Sequence, residues 1–110
     1  MKIKIEISDE FKMADFIRSI CNEFTEDYYN YRIKSYKTEF SKGKYKTTII
    51  AVDQRHYYKT EKVEIEFLQP EEFIKQFADK FKYSNADIVS AILADYGGAI
   101  NHDKLKISFT

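Results

Sequence analysis

Residues 29–53 read YNYRIKSYKTEFSKGKYKTTIIAVD, and the reading of this stretch decides the fold. Tyr29, Tyr31 and Ile33 stand two apart, the spacing at which side chains of an extended strand share one face. Ser41-Lys42-Gly43-Lys44 interrupts the run with a glycine that is free to take positive φ. Residues 45–53, rich in Thr, Ile and Val, resume as a strand. Two strands closed by a tight turn make an antiparallel hairpin.

Outward from the hairpin the pattern continues. A loop around Gln54 to Thr60 leads to a strand in which Val63, Ile65 and Phe67 alternate with Lys62, Glu64 and Glu66, completing a three-stranded meander. Towards the N-terminus, Ile3, Ile5 and Ile7 alternate with Lys2, Lys4 and Glu6 as a half-buried strand. Ser8 is the expected N-cap of a following helix, with Asp9 and Glu10 in its first turn. Met13, Phe16, Ile17, Ile20, Cys21 and Phe24 recur at helical spacing. Beyond the meander, Pro70 opens a helix lined by Phe73, Ile74, Phe77, Ala78 and Phe81. Ser84 and Asp87 then have the spacing of a capping box for a last helix, which Gly97-Gly98 ends. Leu105, Ile107 and Phe109 alternate with Lys104 and Lys106. The expected order is β-α-β-β-β-α-α-β. It describes a single α+β domain over residues 1–110, with a mainly antiparallel sheet, three helices on one face and the similarly patterned terminal strands paired.

The totals bound the class. At 110 residues with 44% apolar side chains, the chain is the size of one domain and needs no disulfide or metal for a core. Three glycines and one proline leave no linker. Cys21 is the single cysteine, which fits a reducing compartment. MKIKIEI has no continuous apolar segment of the signal-peptide kind, and the longest apolar runs, Ile49–Val52 and Ala91–Ala94, fall far short of the ~20 residues a membrane span takes. The expectation is a cytoplasmic protein with no membrane partner.

Net charge is zero, but its distribution is uneven. Residues 1–27 sum to −3, residues 28–62 to +6 and residues 63–110 to −3, and seven of the nine tyrosines fall in the basic middle. With Tyr29, Tyr31 and Ile33 inward, Arg32, Lys34, Tyr36 and Thr38 point outward. With Tyr45, Thr47, Ile49 and Ala51 inward, Lys44, Lys46 and Thr48 point outward, and Lys62 joins them. The expected binding face therefore carries Arg32, Lys34, Tyr36, Lys44, Lys46 and Lys62. Its cations would hold phosphate and Tyr36 would stack on a base. Ile50 and Val52 conflict with this register; they require either a bulge near Thr48 or cover from another element.

Catalytic signatures are missing. There is no Walker loop, G-x-G-x-x-G, C-x-x-C or H-E-x-x-H, and no nucleophile elbow. His56 reads as an exposed loop residue and His102-Asp103 as a solvated turn, so neither a cofactor nor a metal is expected. The helix pair 70–81 and 85–96 has the order of a helix-turn-helix, but its second member, NADIVSAILADY, has two acids and no base and would repel phosphate.

The middle order α-β-β-β-α resembles that of a double-stranded-RNA-binding domain. Where that family has a lysine-rich helix start, this chain has Pro70-Glu71-Glu72. A basic three-stranded sheet is similar to those of integrase arm-binding domains. The whole is similar in style to small phage and mobile-element proteins that disable host defence, including anti-CRISPR proteins. That resemblance implies a non-enzymatic inhibitor. One such family runs α-β-β-β-α-α and mimics DNA with an acidic surface, from which this basic meander departs. It is the basic face that points to nucleic acid or a host protein–nucleic-acid complex. Two rival readings are an inhibitor of a protein partner that acts through Asp9, Glu10, Asp15, Glu23, Glu26 and Asp27, and a homodimer paired through a strand edge. An acidic protein partner for the basic face is a further alternative.

Overall fold

The computed structural model describes residues 3–8, 12–25, 30–55, 57–95 and 105–109. Its elements follow the expected order: β1 (Ile3–Ile7), α1 (Met13–Glu23), β2 (Tyr31–Ser41), β3 (Lys44–Asp53), β4 (Lys59–Phe67), α2 (Pro70–Phe81), α3 (Asn85–Asp95) and β5 (Leu105–Phe109). The strands form two separate antiparallel sheets. β2, β3 and β4 make the meander, and β1 pairs with β5 in register from Ile3 opposite Phe109 to Ile7 opposite Leu105. The other edge of β1 is met by α2, where Glu71 Oε1 accepts the backbone N–H of Ile5 at 2.6 Å.

Local chemistry explains the boundaries. The two-residue loop of the first hairpin, Lys42 and Gly43, has φ of 54° and 77°, the positive pair of a type I′ turn whose twist matches the flanking strands. Pro70 opens α2 with Glu71 and Glu72 in its first turn. Ser84 Oγ accepts the Asp87 N–H at 3.1 Å, and Asp87 Oδ2 accepts the Ser84 N–H at 3.2 Å, so the capping box is closed in both directions. α1 departs from expectation. It starts at Met13 with Lys12, not Ser8, in the capping position and no side-chain cap. Its start follows the first residue of the apolar stripe. Asp9, Glu10, Tyr29 and Gly97-Gly98 lie outside the described residues.

The core lies between the meander and the helices. Phe16 and Ile20 of α1, Phe24 at its C-cap, and Phe73, Phe77 and Phe81 of α2 are buried against Ile33, Ile49, Ile65 and Phe67 of the sheet. α1 packs on β2, α2 packs on β4, and α3 joins α1 and α2, adding the buried Ile88. Each such apolar side chain contributes about 1.5–3 kcal/mol when taken from water. Phe77 is the hub of this layer, with ring centroids 5.4 Å from Phe24, 5.6 Å from Phe73 and 4.7 Å from Phe81.

The expected facing holds in β3 and changes within β2. Thr47, Ile49 and Ala51 are buried on the helical face, and the β3–β4 register runs unbroken from Tyr45 opposite Phe67 to Asp53 opposite Lys59. The bulge is therefore not near Thr48. It lies on the neighbouring strand, between Ile33 and Ser35, where Lys34 is the extra residue. Without it, the alternation from Ile33 would aim Lys37 and Glu39 into the helices. With it, Tyr36, Thr38 and Phe40 take the inner positions, and Ser35, Lys37 and Glu39 turn outward. Ile50 and Val52 do face away from the helices. Val52 is only 5% exposed yet lies apart from the core cluster, flanked in register by Arg32 and Thr60.

Candidate nucleic-acid interface

The outer face of the meander is laid out in rows across its three strands. From the end nearest the β3–β4 loop, the first row is Arg32, Val52 and Thr60; the second is Ser35, Ile50 and Lys62, with the bulged Lys34 beside it. Then come Lys37, Thr48 and Glu64, followed by Glu39, Lys46 and Glu66, and finally Ser41 beside Lys44 at the hairpin tip. Alternate residues along a strand stand about 6.7 Å apart, so the first and fourth rows are separated by roughly 20 Å.

This arrangement divides the six expected residues into three groups. Arg32, Lys34 and Lys62 come together at the loop end, in two rows that contain no carboxylate. Lys34 and Lys62 are exposed and Arg32 is half-buried. Lys46 and Lys44 lie towards the opposite end. Lys46 stands between Glu39 and Glu66, which neutralise its surroundings. Tyr36 is a correction, because the bulge places it on the helical face. There it packs against the core, and its hydroxyl donates to Asn22 Oδ1 of α1 at 2.7 Å. Thr38, also expected outside, is inside, with its hydroxyl 3.0 Å from that of the buried Thr47.

Ion pairs follow the same division. Lys37 Nζ lies 2.9 Å from Glu39 Oε1, and Lys62 Nζ lies 3.5 Å from Glu64 Oε1. Both are solvent-exposed i,i+2 pairs on one strand, so water screens them and a lysine can exchange such a partner for a phosphate. The Lys37–Glu39 hydrogen bond raises the lysine pKa and lowers that of the glutamate, keeping both charged.

The loop that joins β3 to β4 borders the basic rows, and its base is anchored. Asp53 is buried, and its Oδ1 accepts both the backbone N–H of Arg55 at 3.0 Å and the side-chain Nε of Arg55 at 3.2 Å. Arg55 Nη2 donates to the Tyr31 hydroxyl at 2.9 Å, and its guanidinium lies 4.9 Å from the centre of that ring. Arg55 is thereby tied back to Tyr31 while it remains exposed. Beyond it, Tyr57 and Tyr58 are 101% and 67% exposed. Both adopt left-handed backbone, at φ 57° and 56°. Sequence reasoning placed these two tyrosines in the basic segment but assigned them no role. Their signal was an aromatic pair in a loop, where no packing demands one.

The rival acidic surface is only partly within the described residues. Asp15 of that set is bonded to Arg18, with Nη2 2.8 Å from Oδ1. Burial pushes the Cys21 thiol pKa well above its ordinary value, which makes it a poor nucleophile. His56, His102 and Asp103 lie outside the described residues. No helix among the described residues is long and apolar enough to cross a membrane. No protein-family model matches the chain, and neither does a curated protein or a solved structure.

Proposed function

We propose that the chain is a non-enzymatic binding module that engages nucleic acid, alone or within a protein–nucleic-acid complex, through the loop end of the meander's outer face. The observation that carries this reading is the grouping of Arg32, Lys34 and Lys62 around Ile50 and Val52, on the sheet face turned away from Thr47, Ile49 and Ala51, which pack against the helices among the described residues. Phosphate contacts from such cations release condensed counterions and supply most of the affinity of a module that reads no sequence. A module of this kind suits interference with a host defence complex that carries nucleic acid, in keeping with its likeness in style to small anti-defence proteins.

The test is fluorescence anisotropy with labelled single- and double-stranded DNA and RNA at low and moderate salt. Three phosphate contacts on a single strand give a slope of about −2 in log affinity against log salt. The double substitution Lys34→Glu/Lys62→Glu is expected to abolish binding with the fold intact. Unchanged binding by that variant would move the site elsewhere.

A further inference from the structure

The loop after Asp53 carries more aromatic surface than a turn requires. Residues held at positive φ are cheapest as glycine, asparagine or aspartate, and a bulky aromatic there works against the fold. This loop has two in succession, Tyr57 and Tyr58, and their exposure shows that neither ring is repaid by packing. The loop's base is held by the Asp53–Arg55–Tyr31 bonds, so the two rings project from an anchored platform. Cations lie next to the loop: Lys59, level with Asp53, directly follows Tyr58 and is exposed, and on the outer face Arg32 lies across β3 from Thr60 with Lys62 in the next row.

We infer that Tyr57 and Tyr58 are the base-stacking element of the interface and that its ligand is single-stranded nucleic acid. This rests on the reading proposed above and narrows it. Aromatic rings stack on any base whose face is open, whereas a duplex buries its base faces in its own stack. The backbone of a strand laid on these rings would run along Arg32, Lys34 and Lys62 of the outer rows. An acidic protein would also meet those cations and could bury both rings in a packed interface; failure of the wild type to bind either oligonucleotide probe favours that occupant. The inference supplies the stacking group that Tyr36, turned towards α1, does not provide on this face.

The experiment compares three proteins for binding to labelled oligothymidylate and to a labelled duplex of equal length. They are the wild type, Tyr57→Asn/Tyr58→Gly and Tyr57→Phe/Tyr58→Phe. The Asn-Gly variant removes both rings and suits left-handed backbone, so its thermal midpoint is expected to hold or rise. Its affinity for oligothymidylate is expected to fall about tenfold or more, with duplex affinity unchanged. The Phe-Phe variant is expected to keep wild-type affinity. Full single-strand affinity in the Asn-Gly variant overturns the inference. If Lys34→Glu/Lys62→Glu still abolishes binding in that case, the sheet reading survives alone. If the wild type binds neither probe at low salt, both readings fall.

Discussion

The Tyr36 hydroxyl donates a 2.7 Å hydrogen bond to Asn22 Oδ1, joining the middle of β2 to the end of α1. The bond exists because one extra residue at Lys34 reverses the facing of everything after it in the strand. Tyr36→Phe keeps the ring that packs on the core and loses only the bond. It is expected to cost about 0.5–1 kcal/mol in chemical denaturation and to leave nucleic-acid affinity unchanged. A fall in affinity with unchanged stability would place Tyr36 on the binding face after all.

Lys34 and Lys46 are expected to respond differently to charge reversal. Lys34 is exposed in the bulge beside the carboxylate-free rows. Lys34→Glu should lower affinity for oligonucleotides several-fold and hardly move the thermal midpoint. Lys46 stands between Glu39 and Glu66, so Lys46→Glu sets three acids in one row. Like charges directly opposite one another cost about 0.2–1 kcal/mol per pair, so this variant should lose stability more than affinity. Parallel anisotropy and thermal melts read both quantities, and equal affinity losses would spread the interface over the whole sheet.

The hairpin turn offers a test of backbone conformation alone. Lys42 and Gly43 both sit at positive φ, and a Cβ added at Gly43 meets nothing within 4 Å. Gly43→Ala is therefore expected to destabilise by about 1 kcal/mol through left-handed strain without any clash. Lys42→Asn creates the Asn-Gly pair that type I′ turns prefer and should stabilise by about 0.5–1 kcal/mol. Denaturation midpoints that move in opposite directions would bear this out; a shared direction would not.

Alkaline pH should weaken the fold through Tyr31. Burial raises its phenol pKa above the ordinary value near 10, and the negative charges of Asp53 and Glu61 raise it further. Burial also raises the pKa of Tyr83, which packs near it. A group whose pKa is raised by folding holds its proton more tightly in the folded state. Its stabilisation is complete below the unfolded value and is lost as pH rises through the folded one. The urea midpoint should therefore decline as the pH rises above about 10, the ordinary tyrosine value. Tyr31→Phe should decline less steeply over that range, and an identical slope would remove Tyr31 as a cause.

Periodicity alone determined the elements, their order and the helical faces. Ile3, Ile5 and Ile7 against Leu105, Ile107 and Phe109 even indicated the pairing of the terminal strands. The Ser84–Asp87 box and the Gly43 turn were equally legible, because caps and turns are formed by neighbours in the chain. The loop-end cations Arg32, Lys34 and Lys62 were named correctly as outward. The phase of β2 beyond Ile33 was misassigned, although Lys37 and Glu39 carried the signal: alternation without a bulge would bury both. A strand's facing is set by what its neighbours bury, and a single bulge inverts it without altering the composition. Tertiary structure alone decided that Tyr36 meets Asn22 and that Lys46 lies between Glu39 and Glu66. It alone tied Arg55 to Asp53 and Tyr31 while Tyr57 and Tyr58 project. Each of these rests on cross-strand register or on contacts between distant segments, which follow from the packing of the whole chain and not from its local pattern.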